Sequence, residues 1–131
     1  MRRRLLLLCC LSVSFIDTVL VSAQATASDP KLYGRWGSKR VIGSVCRSQI
    51  REIEYLFTDD YIYEIDASML RMGRITRERA SGTYTLQGSM ITGLVDGQTV
   101  GPFHYRFSGE QLVIEQSNPA CTIYLEKKSD R

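Results

Sequence analysis

The chain has 131 residues, a length typical of one domain, and its formal net charge is +3. Three of the 17 basic residues and one of the 14 acidic residues lie in an N-terminal segment with the features of an export signal, so the remainder carries a net charge of about +1. A charge this small excludes the strongly basic surface that nucleic-acid binding requires, and no nucleic-acid partner is expected.

The first 23 residues have the three parts of a cleavable signal peptide. Residues 2–4 are basic, residues 5–16 are mostly apolar, and residues 21–23 are small enough for signal peptidase. Asp17 interrupts the apolar run before it reaches the roughly 20 residues of a membrane-spanning helix. We therefore expect an exported protein, periplasmic or extracellular, with no membrane span after signal cleavage.

Two cysteines, Cys46 and Cys121, remain beyond the predicted signal peptide. An even pair in an oxidising compartment predicts a disulfide bond. The pair spans most of the remaining chain, so on the chain-entropy model the bond stabilises by about 4 kcal/mol. A metal site at these cysteines lacks partners, because His104 is the only histidine and there is no Cys-x-x-Cys motif. No metal and no other cofactor is predicted.

Apolar and polar residues alternate with a period of two along most of the chain, which is typical of half-buried β-strands. Ile53, Tyr55 and Phe57 share one face of such a strand, for example. Turn-forming sequences separate the strands at residues 58–60, 87–89, 96–102, 108–110 and 116–120. No long helix is predicted, and the sequence "SMLRMGR" at residues 68–74 is interpreted as a loop.

Seven or eight short strands with tight connections predict an all-β protein, an antiparallel up-and-down meander closed into a barrel of about eight strands. The cysteines support closure, because a bond between the beginning and the end of the meander requires the first and last strands to be neighbours. The chain is predicted to divide into a signal peptide (1–23), an extended leader (24–31) and a β-barrel (32–128).

Several motifs resemble those of lipocalin-like, or calycin-type, β-barrels of small bacterial proteins. They are Gly34-x-Trp36 in the first strand, "LFTDDYIYEI" at residues 56–65, and "GTYTLQGSMI" followed by "YRFSGEQLVI" and "YLEKK". The resemblance covers residues 32–128. It implies that Trp36 plugs one end of the barrel, with Lys127 or Lys128 packed over its indole, and that the protein binds a small hydrophobic or amphipathic ligand.

Tyrosines dominate the faces predicted to point inward: Tyr55, Tyr61, Tyr63, Tyr84 and Tyr105. Either their rings fill the barrel, or their hydroxyls line an amphipathic pocket. Arg77 and Arg79 share a strand face, which points either inward, where an arginine would bind a carboxylate, or outward, where both would pair with acidic neighbours. The candidate ligand-binding residues are Tyr55, Tyr63, Arg77, Tyr84 and Tyr105.

A second hypothesis is a protein-interaction module. Small disulfide-bridged barrels that inhibit bacterial metalloproteases place an N-terminal leader in the enzyme cleft, and the leader at residues 24–31 resembles such a segment. Their cysteines lie close together in the first half of the chain, which differs from the pair here. An enzyme is not predicted, since neither Ser108 nor His104 has a catalytic partner in the sequence.

Overall fold

The computed structural model describes residues 27–131, so the predicted signal peptide and residues 24–26 of the predicted leader lie outside the described part. Eight antiparallel strands form a closed barrel in simple meander order, which confirms the predicted fold. The strands are β1 (Gly34–Ile42), β2 (Ile50–Phe57), β3 (Ile62–Arg71), β4 (Arg74–Gln87), β5 (Met90–Val95), β6 (Gln98–Ser108), β7 (Gln111–Ser117) and β8 (Ala120–Ser129).

The barrel closes through pairing of the first and last strands. Trp36 on β1 lies opposite Lys127 on β8, and Val41 lies opposite Ile123. This pairing leaves no free edge strand, which is how a small meander protects its backbone groups from pairing with other chains.

A short helix, α1 (Ser44–Gln49), connects β1 to β2. The sequence does not predict it, because six residues with no buried side chain carry no helical periodicity. The helix contacts β1, β2, β3 and β8. Its Cys46 forms a disulfide bond with Cys121 at the start of β8, as predicted, with the two Cα atoms 5.9 Å apart.

The interpretation of residues 68–74 as a loop is wrong. β3 continues to Arg71 and β4 begins at Arg74, so that only Met72 and Gly73 form the turn. Both have positive φ, 52° and 76°, as in the two-residue turns whose twist matches that of the flanking strands. The side chains of residues 71–79 are all exposed, so this hairpin extends beyond the packed part of the barrel.

The two ends of the barrel differ. At the closed end, a 3₁₀ helix (Pro30–Leu32) places Leu32, which has no exposed surface, in the core. Pro30 and Lys31, expected in an extended leader, form this helix because Asp29 caps it and proline suits its first turn. The closed end comprises residues 27–33, the turns at 58–61, 88–89 and 109–110, and residues 129–131.

The opposite end is called the disulfide end. It comprises α1 and the turns at residues 72–73, 96–97 and 118–119, together with the strand ends that they join. Between residues 27 and 131, the structure contains no helix with the length and hydrophobicity required to cross a bilayer.

Candidate functional site: the barrel interior

Four of the tyrosines predicted to face inward are buried in the barrel: Tyr55, Tyr63, Tyr84 and Tyr105, each at most 8% exposed. Tyr61 is half-buried and lies in the turn before β3 with φ 63°, where its ring packs 5.5 Å from that of Tyr84. The period-two pattern placed Tyr61 in the strand, but the strand alternation begins only at Ile62.

The rings of four aromatic residues pack against one another and fill the interior beside β2, β3 and β4. The ring centroid of Phe57 lies 5.6 Å from that of Tyr63 and 5.3 Å from that of Tyr84, and Tyr55 lies 6.1 Å from Tyr63. Such tilted and edge-on contacts are favourable for aromatic pairs. In this part of the barrel the tyrosine rings therefore form a packed core.

Two tyrosine hydroxyls form hydrogen bonds to residues of the closed end. Tyr84 donates a hydrogen bond to the carbonyl oxygen of Thr58 at 2.7 Å, and Tyr105 donates one to Oδ2 of Asp29 at 2.8 Å. Burial and the bond to the Asp29 carboxylate raise the pKa of Tyr105 to about 12. Both hydroxyls already donate a hydrogen bond within the protein, so neither needs a ligand as a partner.

The hydroxyl of Tyr63 is different, because it is buried and has no hydrogen-bond partner among the described residues. The residue is 1% exposed. Burial raises the pKa of its phenol, and the neighbouring Tyr55 raises that pKa further. A buried hydroxyl without a partner costs about 1–3 kcal/mol, which makes it an exception that requires an explanation.

Tyr63 lies beside two glycines of the barrel wall, Gly82 and Gly93. In the β-sheet it lies opposite Gly82 on β4, and its ring then reaches β5. A Cβ at Gly93 would lie 3.2 Å from Cε1 of the ring, closer than ordinary contact, so the missing side chain at Gly93 makes room for the tyrosine.

Half-buried apolar side chains surround the interior near the disulfide end. Val41, Ile50, Met69 and Val95 pack against the core, and each lies within three residues of the end of its strand. Cys46 of α1 packs against the same core. These side chains form an apolar rim, defined here as Val41, Ile50, Met69 and Val95, at the end of the barrel opposite Trp36.

Arg77 lies outside the barrel, away from the inward-facing tyrosines. It makes a two-fold contact with Asp66, with Nε 3.0 Å from Oδ1 and Nη2 2.7 Å from Oδ2, and Arg79 lies 3.3 Å from the same carboxylate. The hydrogen bond from Arg77 is the main reason why the pKa of Asp66 is lowered. Of the two alternatives for this face, the outward one is observed, so Arg77 lies on the outer side of the barrel wall and the buried tyrosines lie on the inner side.

Trp36 lies at the closed end, 3% exposed. Its Nε1 donates a hydrogen bond to the carbonyl oxygen of Leu32 at 2.9 Å, and its ring packs 6.1 Å from Phe107. The resemblance implied that Lys127 or Lys128 packs over the indole, and in the structure it is Lys127, whose Nζ lies 5.7 Å from the ring centroid. Sequence reasoning missed Leu32, although the Asp-Pro pair before it is a signal for the start of a short helix.

Among residues 27–131, no three His, Cys, Asp or Glu side chains are grouped as a metal site would require. His104 is exposed on β6. Comparisons of the chain with models of protein families, with curated proteins and with solved structures gave no match.

Proposed function

We propose that the protein is an exported binding protein that holds a small, neutral, amphipathic ligand inside its barrel. The observation that carries this proposal is the buried hydroxyl of Tyr63, which has no partner among the described residues. Buried hydroxyls in native proteins are nearly always hydrogen-bonded. A ligand atom that pairs with this hydroxyl would remove its desolvation cost.

The electrostatics of the interior limit the chemistry of the ligand. The phenol of Tyr63 is protonated at neutral pH, as any tyrosine is, and burial raises its pKa further, so the hydroxyl can donate a hydrogen bond. The matching ligand group is an acceptor such as a carbonyl or ether oxygen. No charged side chain is buried among the described residues, so a ligand carboxylate would have no counter-ion inside. A neutral acceptor on an apolar body fits best.

The apolar rim supports the same proposal. Its four side chains are half-buried, so a ligand body that covers them gains hydrophobic contact. The closed end is blocked by Leu32 and Trp36, so the ligand enters from the disulfide end. In this scheme Tyr63 and Tyr55 are the ligand-facing tyrosines, while Tyr84 and Tyr105 keep their structural partners.

Displacement of a fluorescent probe tests the proposal. N-phenyl-1-naphthylamine reports occupancy, and three competitors of equal chain length differ only in the polar group: 2-octanone, octane and octanoate. We expect 2-octanone to compete best. In Tyr63→Phe its advantage over octane should fall by about fivefold, since a hydrogen bond contributes about 1 kcal/mol.

Tyr84→Phe is the matched control, because it deletes the same atom from a ring whose hydroxyl bonds to Thr58. It should leave the ranking of the three competitors unchanged. The proposal fails if no competitor displaces the probe, or if both variants alter the ranking equally. Native mass spectrometry of the protein purified from its source provides an independent check, since a bound ligand adds mass that is lost on denaturation.

A further inference from the structure

The large hydrophobic side chains that are exposed in the described part of the chain all lie towards one end of the barrel. They are Ile42 (46% exposed), Val45 (45%), Met72 (102%), Ile75 (68%) and Leu94 (50%). They come from β1, α1, the β3–β4 turn, β4 and β5, and each lies at or next to the disulfide end. Exposed apolar side chains gathered in one region indicate an interaction surface.

The β3–β4 hairpin presents the most exposed of these side chains. Met72 occupies the tip of the turn and is fully exposed, and Ile75 follows on β4. Leu70 lies directly opposite Ile75 in the sheet, so the two side chains share a face near the tip. Because residues 71–79 are all exposed, the hairpin presents these apolar groups to the solvent.

Arginines without ion pairs accompany the apolar side chains. Arg47 on α1, Arg51 at the start of β2 and Arg74 beside the hairpin tip are all exposed, and none lies within ion-pair distance of a carboxylate among residues 27–131. Glu52 and Asp96 are the exposed carboxylates near this end that also lack an ion pair. The unpaired charge at the disulfide end is therefore basic on balance.

The closed end has the opposite charge. Its unpaired charges are two cations, Lys31 and Arg131, and four carboxylates, Asp29, Asp59, Asp60 and Glu110, because Asp130 pairs with Lys127 of β8. An acidic end and a basic, apolar end give the molecule a preferred orientation towards a negatively charged surface, with the disulfide end in front.

We propose that the disulfide end docks on an anionic lipid bilayer. Its exposed apolar side chains come from different strands, a turn and a helix, and a fluid lipid interface can accommodate each of them separately. Met72 and Ile75 enter the boundary between headgroups and acyl chains, while Arg47, Arg51 and Arg74 contact lipid phosphates. This docking goes beyond ligand binding and does not depend on it, because the surface is exposed whether or not the barrel interior is occupied.

Vesicle co-sedimentation of the protein purified after export tests the docking. The vesicles contain phosphatidylglycerol and phosphatidylethanolamine, or phosphatidylcholine alone. We expect stronger binding to the phosphatidylglycerol vesicles, and weaker binding as salt is raised. The double variant Met72→Ser with Ile75→Ser should bind them at least about tenfold more weakly, because two apolar side chains no longer gain from insertion.

Met72→Leu with Ile75→Leu is the matched control, since it keeps the apolar character of the tip and should keep the binding. All variants are compared with the same N-terminus, so that they differ only at positions 72 and 75. Thermal unfolding of each variant checks that the barrel is intact. The proposal is overturned if the protein ignores phosphatidylglycerol vesicles, if the serine variant binds as well as the leucine variant, or if the tip residues affect binding to a protein but not to vesicles.

Discussion

Removing one oxygen atom from Tyr63 and from Tyr84 should change the stability of the ligand-free protein in opposite directions. Both rings lie in the same aromatic cluster, at 1% and 2% exposure, and Tyr→Phe deletes the same atom from each. The hydroxyl of Tyr84 donates to the carbonyl of Thr58 at 2.7 Å, whereas that of Tyr63 has no partner in the described part of the chain. The pair therefore isolates the effect of the hydrogen bond.

The expected magnitudes follow from the two environments. Tyr84→Phe loses a net hydrogen bond and should lower the free energy of unfolding by about 0.5–1.5 kcal/mol. Tyr63→Phe removes a desolvated hydroxyl, whose cost is about 1–3 kcal/mol, and should raise the free energy of unfolding by about 1 kcal/mol. At roughly 4 °C or more per kcal/mol for a domain of this size, the melting temperatures of the two variants should differ by about 8 °C.

Urea unfolding followed by Trp36 fluorescence measures the two changes, on protein that native mass spectrometry shows to be free of ligand. A Tyr63→Phe variant that is destabilised as much as Tyr84→Phe would refute the reasoning. In that case the Tyr63 hydroxyl has a partner in the ligand-free protein, and the main support for ligand binding is lost.

Three further predictions concern the bonds that hold the barrel together. Reduction of the Cys46–Cys121 bond should lower the free energy of unfolding by about 4 kcal/mol, because it releases a loop that spans 75 positions; an unchanged urea midpoint with reductant would contradict this. Lys127→Met should cost about 0.5–1 kcal/mol through the lost contact with the indole of Trp36, and equal stability of variant and wild type would argue against that contact. The pKa of Tyr105 is raised from 10.0 to about 12, so its stabilising effect is complete below pH 10 and is lost between pH 10 and 12. Phenolate absorbance of wild type against Tyr105→Phe measures this, and ionisation of Tyr105 near pH 10 in the folded protein would contradict it.

The fold could be predicted because two independent features of the sequence agree. Alternation placed Tyr55 and Tyr63 on inward faces, and a bond between Cys46 and Cys121 fitted a closed meander whose first and last strands are neighbours. Each of these signals is carried by many residues or by a covalent bond, so local irregularities do not obscure it. The structure has the same closure and the same inward faces for these two tyrosines.

Features that depend on one or two residues were not predictable in this way. The turn at Met72 and Gly73 requires a methionine with positive φ, which is uncommon, so the sequence there looks like a loop rather than a tight hairpin. The partners of the tyrosine hydroxyls were also hidden, because Asp29 and Tyr105 are 76 positions apart. Whether a buried hydroxyl has a partner depends on the fold and is not encoded in any local pattern.

The structure also changes how the leader hypothesis should be tested. Asp29 accepts the hydrogen bond from Tyr105, and Leu32 is fully buried and accepts one from Trp36. The segment from Asp29 onward therefore belongs to the barrel. A deletion of residues 24–30 would remove the partner of Tyr105 and the cap of the 3₁₀ helix, and it should lower stability by about 1 kcal/mol or more.

A shorter deletion, of residues 24–28, separates the two hypotheses cleanly. It keeps Asp29, so we expect the melting temperature of this variant to match that of the wild type. If the barrel is a ligand-binding protein, probe displacement by 2-octanone is also unchanged. If the leader instead enters the cleft of a hydrolase, the shorter deletion abolishes inhibition of that enzyme while the fold stays intact. Loss of probe binding at unchanged stability would contradict our assignment of the ligand to the Tyr63 side of the barrel, because the described residues of this segment, 27 and 28, lie at the closed end and away from the apolar rim.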